Sequence, residues 1–183
     1  MECDIQVELA PEAQYSASVI GGLYVHNLSC LENFELPISD NSSVLLIGKN
    51  GSGKTTVGLG LEIFQKIARG TNRVGDLVKP KDRARGRADV PIRFEITVDL
   101  RGKTYEYAIA FDFPEGFKEL RVSEEKLVVD RKPVFTREEA QVSLAKSGSE
   151  KEAKFRIDWH LVALPIVQEP STKSPLFIFK EWL

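Results

Sequence analysis

The sequence predicts an α/β fold: one strand leads through a glycine-rich loop into a helix, and antiparallel hairpins come after it. Three observations predict it. Residues 44–47, Val-Leu-Leu-Ile, form an unbroken apolar run between polar neighbours, which suits a strand covered on both faces. Val57, Leu61, Phe64, Ile67 and Ala68 recur at helical spacing until Gly70 closes the run. Ile92, Phe94, Ile96 and Val98, then Tyr105, Tyr107, Ile109 and Phe111, alternate with other residues at the period of a strand.

From the N-terminus, residues 4–9 alternate polar and apolar as a short strand does, and Pro11 with its small polar neighbours reads as a connector. Residues 1–19 are therefore set apart as an N-terminal extension from a single domain over 20–183. Leu23–Val25 and Phe34–Ile38 read as strands. Residues 71–90, rich in basic side chains and containing Gly, Pro and Asn, read as a mobile basic surface loop. Over 91–159 an antiparallel region is expected, with turns at Asp99–Lys103 and Asp130–Lys132. A third hairpin would join Ala140–Ala145 to Phe155–Trp159 through Ser-Gly-Ser-Glu-Lys-Glu-Ala. Tyr105, Tyr107 and Phe111 are expected in the sheet core. A short helix is expected from Asp158 to Val167, with Pro170 and Pro175 breaking regular structure beyond it.

Composition narrows the functional classes. The 183 residues are 42% apolar and 28% charged, with net charge −2, which fits a globular domain without a strong bias toward nucleic acid or membrane. Cys3 and Cys30 are too few for a disulfide framework and lack metal-site spacing, so two reduced thiols are expected. The acidic N-terminus lacks a signal-peptide core, and no apolar run reaches membrane-spanning length. A soluble, cytoplasmic protein is the expectation.

Gly48-Lys49-Asn50-Gly51-Ser52-Gly53-Lys54-Thr55 matches the phosphate-loop pattern G-x-x-x-x-G-K-[ST] in full. Such a match arises by chance about once in 150 chains of this length at average residue usage. Each position has a physical reason. Glycines let successive backbone N–H groups turn inward as an anion nest, and the helix after the loop adds its positive end. Lys54 offers a cation to the β and γ phosphates, and Thr55 a hydroxyl oxygen to Mg²⁺. Residues 48–56, Thr56 included, are the expected binding residues for Mg-ATP, and Lys54 is also a candidate catalytic residue.

Asn50-Gly51-Ser52-Gly53-Lys54-Thr55-Thr56 behind an apolar strand resembles the loop of ATP-binding-cassette and SMC/RecF-like ATPases. IRFEITVDLRGKTYEYAIAF (92–111), EKLVVDRKPVFTR (125–137) and FRIDWHLVALP (155–165) are similar to the AAA-family ATPases related to SMC, RecF and the OLD nucleases. The resemblance covers residues 20–183 and implies the first lobe of an ATPase head: a P-loop NTPase core with an antiparallel β-hairpin subdomain. It implies ATP and Mg²⁺ as ligands, Gln168 as a glutamine touching Mg²⁺ and the attacking water, and an ATP-dependent homodimer or partner subunit. The sequence departs from the family in two respects. Asn27-Leu28-Ser29-Cys30 lacks the basic residue usual after the first strand, and no Leu-Ser-Gly-Gly signature or strand ending in Asp-Glu is present. An incomplete half-site, needing a second lobe or partner for hydrolysis, is the leading reading. A stand-alone nucleotide-binding regulatory module is the alternative.

Other candidates are weaker. Asp99 and Asp130 each come after an apolar run but sit at hairpin turns, where Asp serves the local backbone. Lys79, Lys81, Arg83, Arg85 and Arg87 could meet nucleic-acid phosphates, although a solvated charge run explains them more simply. His26 and His160 show no ligand spacing and are expected to be structural. A GTPase lacks its Asn-Lys-x-Asp motif here, and residues 83–87 make a poor kinase lid because strands come next.

Overall fold

The computed structural model describes residues 5–9, 19–38, 43–145, 153–168 and 171–183. In chain order the strands are β1 (Ile5–Leu9), β2 (Val19–His26), β3 (Phe34–Pro37), β4 (Val44–Gly48), β5 (Ile92–Leu100), β6 (Lys103–Asp112), β7 (Arg121–Val129), β8 (Lys132–Glu138), β9 (Gln141–Leu144) and β10 (Ala153–Arg156). The helices are α1 (Lys54–Ala68), α2 (Val74–Leu77) and α3 (Pro175–Trp182). Eight strands form one antiparallel sheet in the order β10-β9-β8-β7-β6-β5-β2-β3, while β1 and β4 pair antiparallel as a separate ribbon.

The hairpins arise where the turn residues put them. Arg101 and Gly102, and likewise Asp130 and Arg131, hold the positive φ angles of tight hairpin turns. Alternation then places Phe94, Ile96, Tyr105, Tyr107, Ile109, Phe111 and Leu127 on one buried face. The helix α1 lies on that face, with Phe64 edge-on to Phe94 and Tyr107 at ring distances of 6.3 and 5.9 Å. Gly60 permits the close approach: a Cβ there would lie 3.0 Å from the Val25 side chain. On the same face α3 packs Phe179 against Tyr105 and Tyr107.

Several expectations are corrected. The apolar run in β4 is not covered on both faces, since Leu45 is 60% and Ile47 41% exposed. The strand belongs to the β1–β4 ribbon rather than to the large sheet, so one side of its pleat faces outward. Residues 71–90 are not a bare loop but hold α2 and 3-10 turns at Pro80–Asp82 and Ala84–Gly86. Val74, Leu77, Val78 and Ala84 are buried there. The buried Asn27 fixes this segment: its Oδ1 accepts from the Ala84 N–H, and its Nδ2 donates to the Arg87 and Val90 carbonyls.

No helix forms over 158–167, which runs as turns with a bridge at Leu161. Pro175 opens a helix rather than breaking one. It sits in the first turn of α3, where a missing N–H costs nothing, and the Ser174 hydroxyl accepts from the Phe177 N–H as N-cap. The third hairpin pairs β9 with β10 only to Arg156, and its turn lies largely outside the described residues, as does Cys3. Cys30 is partly buried against the core. Among the described residues no helix is long and apolar enough to cross a membrane.

Candidate functional site

The glycine-rich loop joins the end of β4 to the start of α1. Its geometry rests on two residues in the left-handed region, Gly51 at φ 83° and Gly53 at φ 105°. A Cβ at Gly51 would touch nothing, so its backbone angle rather than space calls for glycine there. Gly53 is the N-cap of α1 and accepts the first helical bond from the Val57 N–H at 3.0 Å. With no side chain at the cap and no acidic residue in the first turn, the amino end of α1 keeps its positive potential uncompensated.

The Lys54 ammonium folds back over the loop. It donates to the Gly48 carbonyl at 2.7 Å and the Lys49 carbonyl at 2.8 Å. The Lys49 carbonyl also accepts from the Ser52 N–H, which closes a turn under the cation. The Ser52 side chain is buried, and its hydroxyl oxygen lacks a hydrogen-bond partner. A buried hydroxyl without a partner is uncommon and costs stability. Thr55 is exposed beside it, while Thr56 is buried against the fold. Lys49, Asn50 and Gly51 are exposed around the rim. The loop therefore gathers an ammonium held only by backbone carbonyls, an uncapped helix end and two hydroxyls, one of them buried and unsatisfied.

Gln168 is exposed at the end of the 158–168 segment, and no hydrogen bond among the described residues joins it to the loop. What anchors that segment escaped sequence reasoning. Glu125 stands on the core face of β7 opposite Ile109, in alternation with the buried Leu127 and Val129. Its carboxylate accepts from the Ala163 and Leu164 N–H groups at 2.7 and 2.8 Å and from the Tyr107 hydroxyl at 2.9 Å. Arg137 pairs with it at 3.6 Å and donates to the Leu161, Asp158 and Glu139 carbonyls. Both side chains are fully buried. Burial pushes the Glu125 carboxyl up and the Arg137 guanidinium down, while their mutual attraction opposes both shifts and the donors around the carboxylate oppose the first. Burial beside this carboxylate also pushes the Tyr107 hydroxyl well up. The only signal in the sequence was a pair of charges at core-facing strand positions.

Both aspartates that come after apolar runs are spent on hairpin ends. Asp99 accepts from the Thr104 hydroxyl at 2.7 Å, and Asp130 from the Thr104 N–H at 3.1 Å. In the basic segment Lys79, Lys81 and Arg85 are exposed, whereas Arg83 lies over the Phe113 ring and Arg87 pairs with Asp89. His26 accepts from the Asn33 N–H. His160 is less isolated than expected, since its Nδ1 lies 3.2 Å from Asp158 Oδ1.

A family model described as "AAA domain, putative AbiEii toxin, Type IV TA system" matches residues 43–168, from the start of β4 to Gln168. The match takes in the glycine-rich loop, α1 and strands β5 to β10. No curated protein and no solved structure matches the chain.

Proposed function

This chain belongs to that AAA-domain family, a P-loop ATPase type, and we propose that it binds Mg-ATP through residues 48–56 as one half of an ATPase site. The observation that carries the reading is the Lys54 ammonium resting on two backbone carbonyls at an uncapped helix end. A triphosphate matches what this site lacks. Its β and γ oxygens are stronger partners for Lys54 than neutral carbonyls. The N–H groups of the first turn of α1, left without a side-chain cap, suit an anion at the helix end. The buried Ser52 hydroxyl gains an acceptor.

The residues also fit Mg²⁺. Thr55 is exposed next to the loop and offers one oxygen, and phosphate oxygens and waters complete the coordination that this hard ion prefers. When bound, Mg²⁺ neutralises charge on the β and γ phosphates. Among the described residues no three His, Cys, Asp or Glu side chains converge to hold a metal by themselves. Gln168 is the proposed contribution of the 158–168 segment, held in place through Glu125 and Arg137.

Hydrolysis needs a group that orients water. Asp99 and Asp130 are engaged at hairpin turns, so we assign that role to a second lobe or a partner subunit, which includes a second copy brought in by ATP. Nucleic acid bound along Lys79, Lys81 and Arg85 is a secondary proposal. Phosphate release by purified residues 1–183, with ATP and GTP in parallel, tests the half-site reading. Turnover well below the usual enzyme range of about 1 per second is expected. Turnover at or above that rate, lost in Lys54→Ala, contradicts it.

A further inference from the structure

A cavity lined by Arg73 lies beyond the C-terminal end of α1. The fifteen residues of α1, which begins in the phosphate loop, span about 22 Å at the α-helical rise. The cavity volume is about 660 Å³, within the range of small-ligand sites. The β6–β7 connection supplies Gly116, Phe117, Lys118 and Glu119, the turn before Leu161 supplies Asp158 and His160, and Arg73 closes the wall.

The wall is built rather than incidental. Arg73 and Leu161 form a bridge, with the Val74 N–H donating to the His160 carbonyl and the Val162 N–H to the Asn72 carbonyl. Phe117 stacks on Trp159 at 5.6 Å with the rings 13° apart, and the Arg121 guanidinium covers Trp159 at 4.5 Å. Arg121 is itself fixed by two bonds to Asp112. The aromatic wall is thus locked from behind.

The acids of the cavity are engaged. Asp158 accepts from the His160 N–H at 2.7 Å and meets its Nδ1 at 3.2 Å, and Glu119 pairs with Arg73 at 3.6 Å. This arrangement places the ring proton of a neutral His160 on Nδ1, and Nε2 has no hydrogen-bond partner among the described residues. Lys118 is exposed and has no ion pair among the described residues. Arg73 keeps most of its donor fork beyond one long contact. The groups left to meet a ligand are two cations, the Nε2 of an imidazole and the part of the Phe117 ring that lines the cavity beside Trp159 and Arg121.

We propose that this cavity binds a small planar ligand bearing a phosphate or carboxylate, with Arg73 and Lys118 taking the anion and Phe117 the ring. The simplest probes are phenyl phosphate, benzoate and inorganic phosphate, titrated into isotope-labelled protein and monitored by amide and imidazole NMR shifts. Saturable shifts from phenyl phosphate or benzoate at residues 72–74, 116–119 and 158–161 are expected. Affinity should fall about tenfold in both Arg73→Gln and Lys118→Gln, the size of a lost charged hydrogen bond, and stay unchanged in Lys54→Ala. Phenyl phosphate should bind about threefold or more tightly than inorganic phosphate, the ring supplying the difference. Shifts that never saturate, shifts confined to residues 48–56, or equal affinities in wild type and both cavity variants overturn the proposal. Loss in Lys54→Ala would assign the ligand to the phosphate loop instead.

Discussion

The molecule carries two polar clusters of opposite design. At the phosphate loop an ammonium rests on neutral carbonyls, a buried hydroxyl has no partner and a helix end is uncapped. Around Glu125 and Arg137 every charge is buried and met: three donors besides the arginine surround the carboxylate, and three carbonyls accept from the guanidinium. A satisfied buried network fixes a fold, because breaking it strands a charge in low dielectric. An unsatisfied surface cluster keeps interaction energy available for a ligand. The difference separates scaffold from site without reference to sequence motifs.

The contrast is sharpest for Glu125→Ala. It strands Arg137, which should cost roughly 3–5 kcal/mol of stability, read as a lower denaturant midpoint. A loss under about 1 kcal/mol would mean that the cluster is wetter than its burial implies. Next in size is Thr55→Ala at the loop. Mg-ATP affinity should fall about tenfold in magnesium and far less in EDTA, with the fold untouched. Equal losses in both conditions would make Thr55 structural. Smallest is Ser52→Ala, whose sign is the informative part. Removing an unsatisfied buried hydroxyl should leave stability unchanged or raise it by about 1 kcal/mol while weakening triphosphate binding. Destabilisation would show that the hydroxyl already has a partner and would blur the distinction.

The sequence disclosed the two clusters unequally. The loop was legible because its geometry is local: Gly51 and Gly53 take positive φ within one short stretch, and α1 is announced by its own periodicity. The hairpin turns were legible for the same reason, Arg101-Gly102 and Asp130-Arg131 being local signals. The Glu125 cluster was not, because its partners Ala163 and Leu164 lie 38 and 39 residues away. Those distant bonds also bear on why 158–167 is not a helix: the Ala163 and Leu164 N–H groups are taken by a strand carboxylate and the Val162 N–H by the Asn72 carbonyl. Residues 71–90 looked like a loop because their basic side chains outweighed Val74, Leu77 and Val78, and because Asn27 pins them from a distance of 57 to 63 residues. In β4 the apolar run was read as burial, yet apolarity records a tendency to be covered, and Leu45 and Ile47 are not. Pro175 alone predicts a break, yet position within a helix decides what proline does, and at the first turn of α3 it is accommodated.

The most direct test of the central claim is a calorimetric titration of Mg-ATP into wild-type protein and Lys54→Ala, with a thermal melt of each. Saturable binding to wild type, loss of at least about tenfold in affinity in the variant, and melting points that agree are expected, because Lys54 holds only loop carbonyls. Undiminished affinity in Lys54→Ala, or a variant that fails to fold, would contradict the claim.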